Sequence, residues 1–276
     1  MFRKREIIKE IIKRALREDI QKGDITTNLI IPPKLKTKAF IFTKEKGIVC
    51  GVKIAKVVFK SLDSKIIVVE KVKDGDFIFP YQEIIEISGC ARTILTGERT
   101  ALNFLQRLSG IATLTHNFVQ KVRPYNVKIL DTRKTTPTLR VLEKYAVKKG
   151  GGENHRFSLS DKILIKGTHI DLVGIETAIK KAKRSKRKIE IEVRDLKELK
   201  KALKLRPDII MLDNMSPKMI RKAVSLINNR AIIEVSGGVN LKNIREIAKT
   251  GVNWISIGRL TNSFKSLDMS LKIKKD

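Results

Sequence analysis

Residues 208–235 read DIIMLDNMSPKMIRKAVSLINNRAIIEV. The two ends, 208–212 and 231–235, are short apolar runs, the mark of strands buried on both faces. Residues 216–227 between them read as a helix. A strand, a helix and a second buried strand make a parallel pair joined by a helical crossover.

The same rhythm extends in both directions. Upstream lie strand 127–131, helix 137–147, strand 162–166, helix 172–183, strand 188–193 and helix 195–204. Downstream lie helix 240–249 and strand 253–257. Helix 137–147 is bracketed by Pro137 and by Gly150-Gly151-Gly152. So many consecutive units predict a closed barrel or a doubly wound sheet. No GxGxxG follows the first strand, which speaks against a dinucleotide-binding sheet.

The first 112 residues have a different texture. Ile7, Ile8, Ile11, Ile12, Ala15 and Leu16 form one apolar stripe over residues 4–19. Glu6, Glu10 and Glu18 on its polar face favour a packed surface helix over a membrane-lying one. GDITT (23–27) and IPP (31–33) read as a turn and a loop. Strands are expected at 38–43, 65–72 and 83–88, with a helix at 52–61 between the first two. Residues 72–89 have the turn-and-strand rhythm of a small β module, without the modifiable lysine of a carrier domain. A strong helix, 91–110, is expected to stop at Gly110 as a C-cap, followed by another at 113–122.

The 276 residues suffice for two domains, and 42% hydrophobic with 5% aromatic content predicts an aliphatic core. No uncharged apolar run approaches the ~20 residues that cross a bilayer, and the N-terminus lacks a signal-peptide pattern. Cys50 and Cys90 form no disulfide framework or CxxC site, which fits a reducing cytoplasm. The net charge of +30 admits nucleic-acid binding or attraction of small polyanions. The lysines are spread over every expected helix, with no basic tail and no aromatic-studded basic strand. That distribution points to composition rather than to a nucleic-acid surface.

Function is written at the strand ends. Parallel barrels carry their sites at the C-terminal ends of the strands. Read in order, those ends give Asp131-Thr132-Arg133-Lys134, Lys166 and His169, Glu190 and Glu192, Asp213-Asn214, Ser236-Gly237-Gly238, and Gly258-Arg259. The loop GGGENHR adds His155 and Arg156. Arg133, Arg156 and Lys166 suit carboxylate or phosphate. The Ser236-Gly-Gly turn and Gly258 suit a backbone phosphate cradle. Glu192 and Asp213 suit sugar hydroxyls, Mg²⁺ or a developing positive charge. The histidines lack zinc-ligand spacing, and no G-x-S-x-G elbow marks a covalent hydrolase. The combination fits a phosphorylated sugar plus a small carboxylate, hence phosphoribosyl transfer.

The chain also resembles a known family, quinolinate phosphoribosyltransferase (carboxylating nicotinate-nucleotide pyrophosphorylase). The motifs that carry the resemblance are EDIQKGDITT (18–27), GERTALNFLQRLSGIAT (97–113), DTRKTTPTLR (131–140), KYAVKKGGGENHR (144–156), LIKGTH (164–169), IEVRDLKEL (191–199), IIMLDN (209–214), IEVSGGVN (233–240) and WISIGRLT (254–261). The resemblance implies an N-terminal α/β sandwich, residues 1–112, and an incomplete six- or seven-stranded α/β barrel, residues 113–276, with a tail able to return to the first domain. It implies quinolinate and phosphoribosyl pyrophosphate as substrates, with Mg²⁺ accompanying the latter and nicotinate mononucleotide, CO₂ and pyrophosphate as products. It implies a homodimer with the site shared between subunits, or a larger homo-oligomer, without specific nucleic acid or membrane partners.

By motif position, Arg99 would reach the partner's site and bind quinolinate carboxylate. Thr132, Arg133, His155 and Arg156 would line the quinolinate pocket. Lys134 and Lys166 would contact phosphate or bridge the substrates, and Glu192 and Asp213 would hold the ribose and its Mg²⁺. Ser236, Gly237, Gly238, Gly258, Arg259 and Leu260 would take a phosphate. Two motifs depart from the family pattern: KGTH stands for KDNH, and GRLTNS for GALTHS. A paralogue acting on another anionic substrate is the alternative enzyme; a basic nucleic-acid-binding protein is the alternative from another class.

Overall fold

The computed structural model of the chain describes residues 2–274, arranged as two compact units. The first takes in the chain up to His116, Thr136–Gly151, and the tail from Phe264. The second comprises Asn117–Thr135 and Gly152–Ser263. The sequence leads one to expect a boundary after residue 112 and a tail able to return to the first domain; the two units divide the chain at four points. No helix among the described residues is long and apolar enough to cross a membrane.

The first unit opens with α1 (Phe2–Ile20), α2 (Ile25–Ile30), β1 (Lys36–Thr43), β2 (Gly47–Ile48) and α3 (Val52–Leu62). It continues through β3 (Ile67–Glu70), β4 (Phe77–Ile78), β5 (Glu83–Cys90) and α4 (Ala91–Val122). An antiparallel sheet of order β12-β1-β5-β3, with β12 at Met269–Ile273, forms its centre. Alternation sets its buried face: Ala39, Ile41, Ile85 and Ile87 are sealed. Phe59 of α3 with Ile94, Leu102 and Leu105 of α4 complete the core.

Two local expectations do not hold. GDITT is more than a turn: Asp24 caps α2, accepting from the Thr27 N–H at 2.9 Å. Arg92 also donates to the Ile31 and Asn28 carbonyls, holding that short helix in place. Gly110 is not a C-cap either, because α4 runs on to Val122. A Cβ at Gly110 would lie 2.2 Å from the Lys265 carbonyl oxygen. The glycine admits the returning tail; it does not end the helix.

Gly110→Ala therefore sets about 1 kcal/mol of better helix propensity against a backbone collision that a close-packed interior does not absorb. A net loss of about 2 kcal/mol is expected, seen as a lower melting temperature and faster proteolysis beyond residue 264. An unchanged melt would show that the tail is not held by this contact.

The second unit holds β6 (Lys128–Leu130), β7 (Ile163–Ile165), β8 (Ile189–Val193), β9 (Ile209–Asp213), β10 (Ile232–Ser236) and β11 (Trp254–Ser256). They form one parallel sheet of order β6-β11-β10-β9-β8-β7. Among the described residues its end strands β6 and β7 are not paired with each other, so this is the six-stranded incomplete barrel. The connecting helices are α6 (Gly167–Val173), α7 (Ile175–Lys183), α8 (Leu196–Lys204), α9 (Pro217–Ile227), α10 (Ile244–Ala248) and α11 (Arg259–Asn262).

The helix expected at 172–183 is two helices, divided at Gly174 with φ 74°. The helix expected at 137–147 is α5 (Arg140–Lys149) and belongs to the first unit. Pro137 does not start it; a turn with Thr138 at φ 68° intervenes.

Candidate functional site: the rim of the incomplete barrel

The C-terminal ends of the strands enclose a cavity of about 590 Å³. Thr132, Arg133, Lys134, His155, Arg156, Lys166, Glu192, Asp213, Ser236, Gly237 and Gly238 all line it. Eleven of the fifteen residues expected at the site thus share one cavity within the second unit. Arg99 lies exposed on α4, in the first unit.

Backbone pairing brings the two arginine segments together. The Glu153 N–H donates to Ile129, and the Asp131 N–H to Glu153, so residues 153–156 run alongside the end of β6. Asp131, fully buried, then accepts from the His155 N–H at 2.9 Å. Arg156 is held by donation from Nη1 to the Lys162 carbonyl at 3.1 Å. Burial, and then the neighbouring charge of Arg133, make the Arg156 cation less favourable than usual. Like charges brought together in a half-buried wall are costly, and an anionic ligand relieves that cost.

The acids stand at the ends of β8 and β9. Glu192 accepts from Lys166 Nζ at 2.9 Å and from the Gly167 N–H at 3.2 Å. Asp213 accepts from the Asn214 amide at 3.1 Å. Both are hard oxygen donors in one cavity, a donor set that Mg²⁺ takes alongside phosphates and water.

The turn after β10 has Gly237 at φ 91° and Gly238 at φ 63°, a left-handed conformation that glycine adopts without steric cost, and both line the cavity. A Cβ on Gly237 would strike the Asn214 side chain at 2.2 Å. Three expected phosphate residues do not line the cavity. A Cβ on Gly258 would lie 2.8 Å from the Lys134 stem, and Thr261 donates to the Lys134 carbonyl at 2.7 Å. That segment therefore supports Lys134. Leu260 is fully buried, leaving only its backbone for any ligand, and Arg259 is exposed.

Leu164, Met211, Asn214 and Ser256 also line the cavity; of these only Asn214 stands among the strand-end residues of the sequence. Met211 could have been found, since it is two residues before Asp213 on one strand and shares its face.

Beneath the rim lies a buried polar layer. Glu190 and Glu234 are both fully buried. His155 Nε2 is 3.2 Å from Glu190 and 3.5 Å from Glu234. The Lys162 ammonium forms an ion pair with Glu190 and lies 5.7 Å from the centre of the Trp254 ring. Ser256 donates to Glu234. Burial opposes charge on Glu190, but the His155 and Lys162 contacts outweigh it and hold that carboxyl below its ordinary range. Burial, then the Glu190 charge, push Glu234 up to about 8. His155, Glu190 and Glu234 bring ligand-type atoms within 4.8 Å of one another, but the Lys162 ammonium already supplies the cation there. Glu234, a charged residue inside the otherwise apolar IIEV, is the sequence signal for this layer.

An incomplete α/β barrel with paired cations, paired acids and a glycine turn at its strand ends belongs to the class of barrel enzymes that handle phosphorylated anionic substrates. Residues 24–109 match the N-terminal and residues 111–272 the C-terminal domain of quinolinate phosphoribosyl transferase. A probable carboxylating nicotinate-nucleotide pyrophosphorylase of Methanocaldococcus jannaschii is 49% identical over 276 residues, covering 96% of each chain. Its Bacillus subtilis counterpart is 42% identical, over 96% of this chain and 93% of that one. The solved nicotinate-nucleotide pyrophosphorylase of Francisella tularensis superposes with a TM-score of 0.94 at 43% identity, covering 98% of this chain and 96% of that one. The chain belongs to the quinolinate phosphoribosyltransferase family.

Proposed function

We propose that the protein transfers the phosphoribosyl group of phosphoribosyl pyrophosphate to quinolinate and decarboxylates the adduct, giving nicotinate mononucleotide, CO₂ and pyrophosphate. The observation that carries this reading is the sharing of one cavity by Arg133 and Arg156, Glu192 and Asp213, and the Gly237-Gly238 turn. Family membership supports it.

Each group has a task. Arg133 and Arg156 bind the quinolinate carboxylates, Thr132 and His155 line the ring's pocket, and Lys134 and Lys166 offset phosphate charge. Ser236, Gly237 and Gly238 present donors to a phosphate. The bond from ribose C1 to pyrophosphate breaks, and its electron pair leaves with pyrophosphate. Glu192 and Asp213 stabilise the positive charge left on the ribosyl carbon. The lone pair of the quinolinate nitrogen closes the new C–N bond, and the ring becomes a pyridinium. The carboxylate next to that nitrogen leaves as CO₂; the bond's electrons stay on the ring carbon, which takes up a proton. Glu192 and Asp213 would also hold Mg²⁺, which supplies charge compensation to the pyrophosphate.

The assembly we propose is a homodimer in which Arg99 completes the partner's quinolinate pocket. In support, Arg99 is exposed on α4, and Ile25, Leu29 and Ile30 of α2 form an apolar surface 70–80% exposed. The two free thiols, one buried, fit a reducing cytoplasm.

The test is incubation with quinolinate, phosphoribosyl pyrophosphate and Mg²⁺, with detection of nicotinate mononucleotide and of CO₂ in equal amounts. Turnover with a different pyridine acid and none with quinolinate would favour the paralogue reading. Tight DNA or RNA retention at physiological salt would revive the nucleic-acid reading.

A further inference from the structure

Of the buried layer under the rim, His155 and Ser256 line the cavity, yet the layer is built of ionisable groups. The geometry of His155 shows what it does. The Arg156 N–H donates to His155 Nδ1 at 2.8 Å. A backbone N–H always carries its hydrogen, so Nδ1 must be the acceptor. The ring proton is therefore on Nε2. That nitrogen faces the Glu190 carboxylate at 3.2 Å, the partner that favours a proton there. Lys162 Nζ stands 3.3 Å from the same nitrogen and forms an ion pair with Glu190. Ser256 fixes Glu234 from the far side.

We propose that Glu190, with Lys162 and Glu234, is a positioning residue. It locks His155 as the Nε2–H tautomer, and His155 through Nδ1 then fixes the backbone of Arg156 against the quinolinate carboxylate. The lock works at one remove: a different tautomer would set two N–H groups against each other at Nδ1, and the Arg156 amide would have to move. A displacement of about 1 Å at a binding group costs up to ~100-fold in rate. The inference rests on the substrate reading above.

The first measurement does not depend on turnover. Two-bond ¹H–¹⁵N spectra of the folded protein resolve its three histidines, and loss of a signal in His155→Asn assigns His155. In the neutral ring an Nε2–H pattern is expected; an Nδ1–H pattern overturns the inference. The second compares two charge-conserving pairs. Glu190→Gln with Lys162→Met keeps an oxygen acceptor for Nε2–H and should hold the KM for quinolinate within about threefold. Glu190→Leu with Lys162→Met removes the acceptor and should raise that KM about tenfold or more, with the KM for phosphoribosyl pyrophosphate unmoved. Equal change in both KM values, or equal behaviour of the two pairs, overturns it. If neither pair folds, the spectrum of the unaltered protein still decides. Absence of turnover in the unaltered protein would instead count against the substrate reading alone.

Discussion

Arg133→Ala is expected to raise the KM for quinolinate by about 10²–10³-fold while moving that for phosphoribosyl pyrophosphate only a few fold. The magnitude follows from truncating one member of a half-buried charged pair across an interface with its ligand, which costs about 2–5 kcal/mol. The direction follows from position. Arg133 shares its wall with Arg156, whose cation is disfavoured by burial and by Arg133 itself. A dianion that enters between them gains from both. Asp213→Ala should do the reverse, leaving the quinolinate KM near its starting value and lowering kcat about 100-fold. Asp213 faces the cavity from the end of β9; its work begins when positive charge develops. Steady-state kinetics with each substrate varied in turn separates the two variants. If both lose binding and turnover alike, the division between a carboxylate wall and an acid pair is wrong.

That division was legible in the sequence, and the reason is geometric. Buried parallel strands such as IIML (209–212) and ILI (163–165) are apolar along their whole length, so polar residues stand out where the strands end. The Arg133, Glu192, Asp213 and Ser236 positions needed only the order of the strands and the rule that their C-terminal ends converge. Contacts with no local signature were not legible. Gly110 reads as a stop because glycine after a leucine-rich helix often is one; the tail it admits arrives 155 residues later in the chain. The α2 helix is six residues long and is held by Arg92, far downstream, so GDITT alone reads as a turn. Gly258 looked like a phosphate donor because it follows a strand, yet the space above it is filled by Lys134. Glu190 and Glu192 share a strand face, and no local pattern says which of them reaches the cavity and which is sealed beneath it. Depth in a barrel depends on where the strand begins relative to its neighbours, and that is set by the register of β8 against β9.

The sealed layer carries a second large expected effect, on stability against pH. Glu234 keeps its proton up to about pH 8 in the folded protein, against an ordinary value of 4.5. Below pH 4.5 folded and unfolded chains both hold the proton, and Glu234 costs nothing. As pH rises from there the unfolded chain releases it first, the folded chain binds more protons, and stability falls by up to ~1.4 kcal/mol per pH unit. Above about 8 both forms are charged and the slope vanishes. Glu190 acts in a different window: its carboxyl is held low, so its contribution is present above pH 4.5 and lost as pH falls below that. Glu234→Gln removes the first effect alone, because the amide replaces the protonated acid in shape and cannot ionise. The single tryptophan, Trp254 on β11 beside Lys162, reports unfolding of this unit by fluorescence. In urea titrations, the stability of the parent chain relative to Glu234→Gln should fall by about 3 kcal/mol between pH 5 and 8. Parallel pH profiles for the two proteins would mean that Glu234 is ionised in the native barrel, and that the Glu190 and Glu234 carboxylates are held together by more positive charge than Lys162 provides.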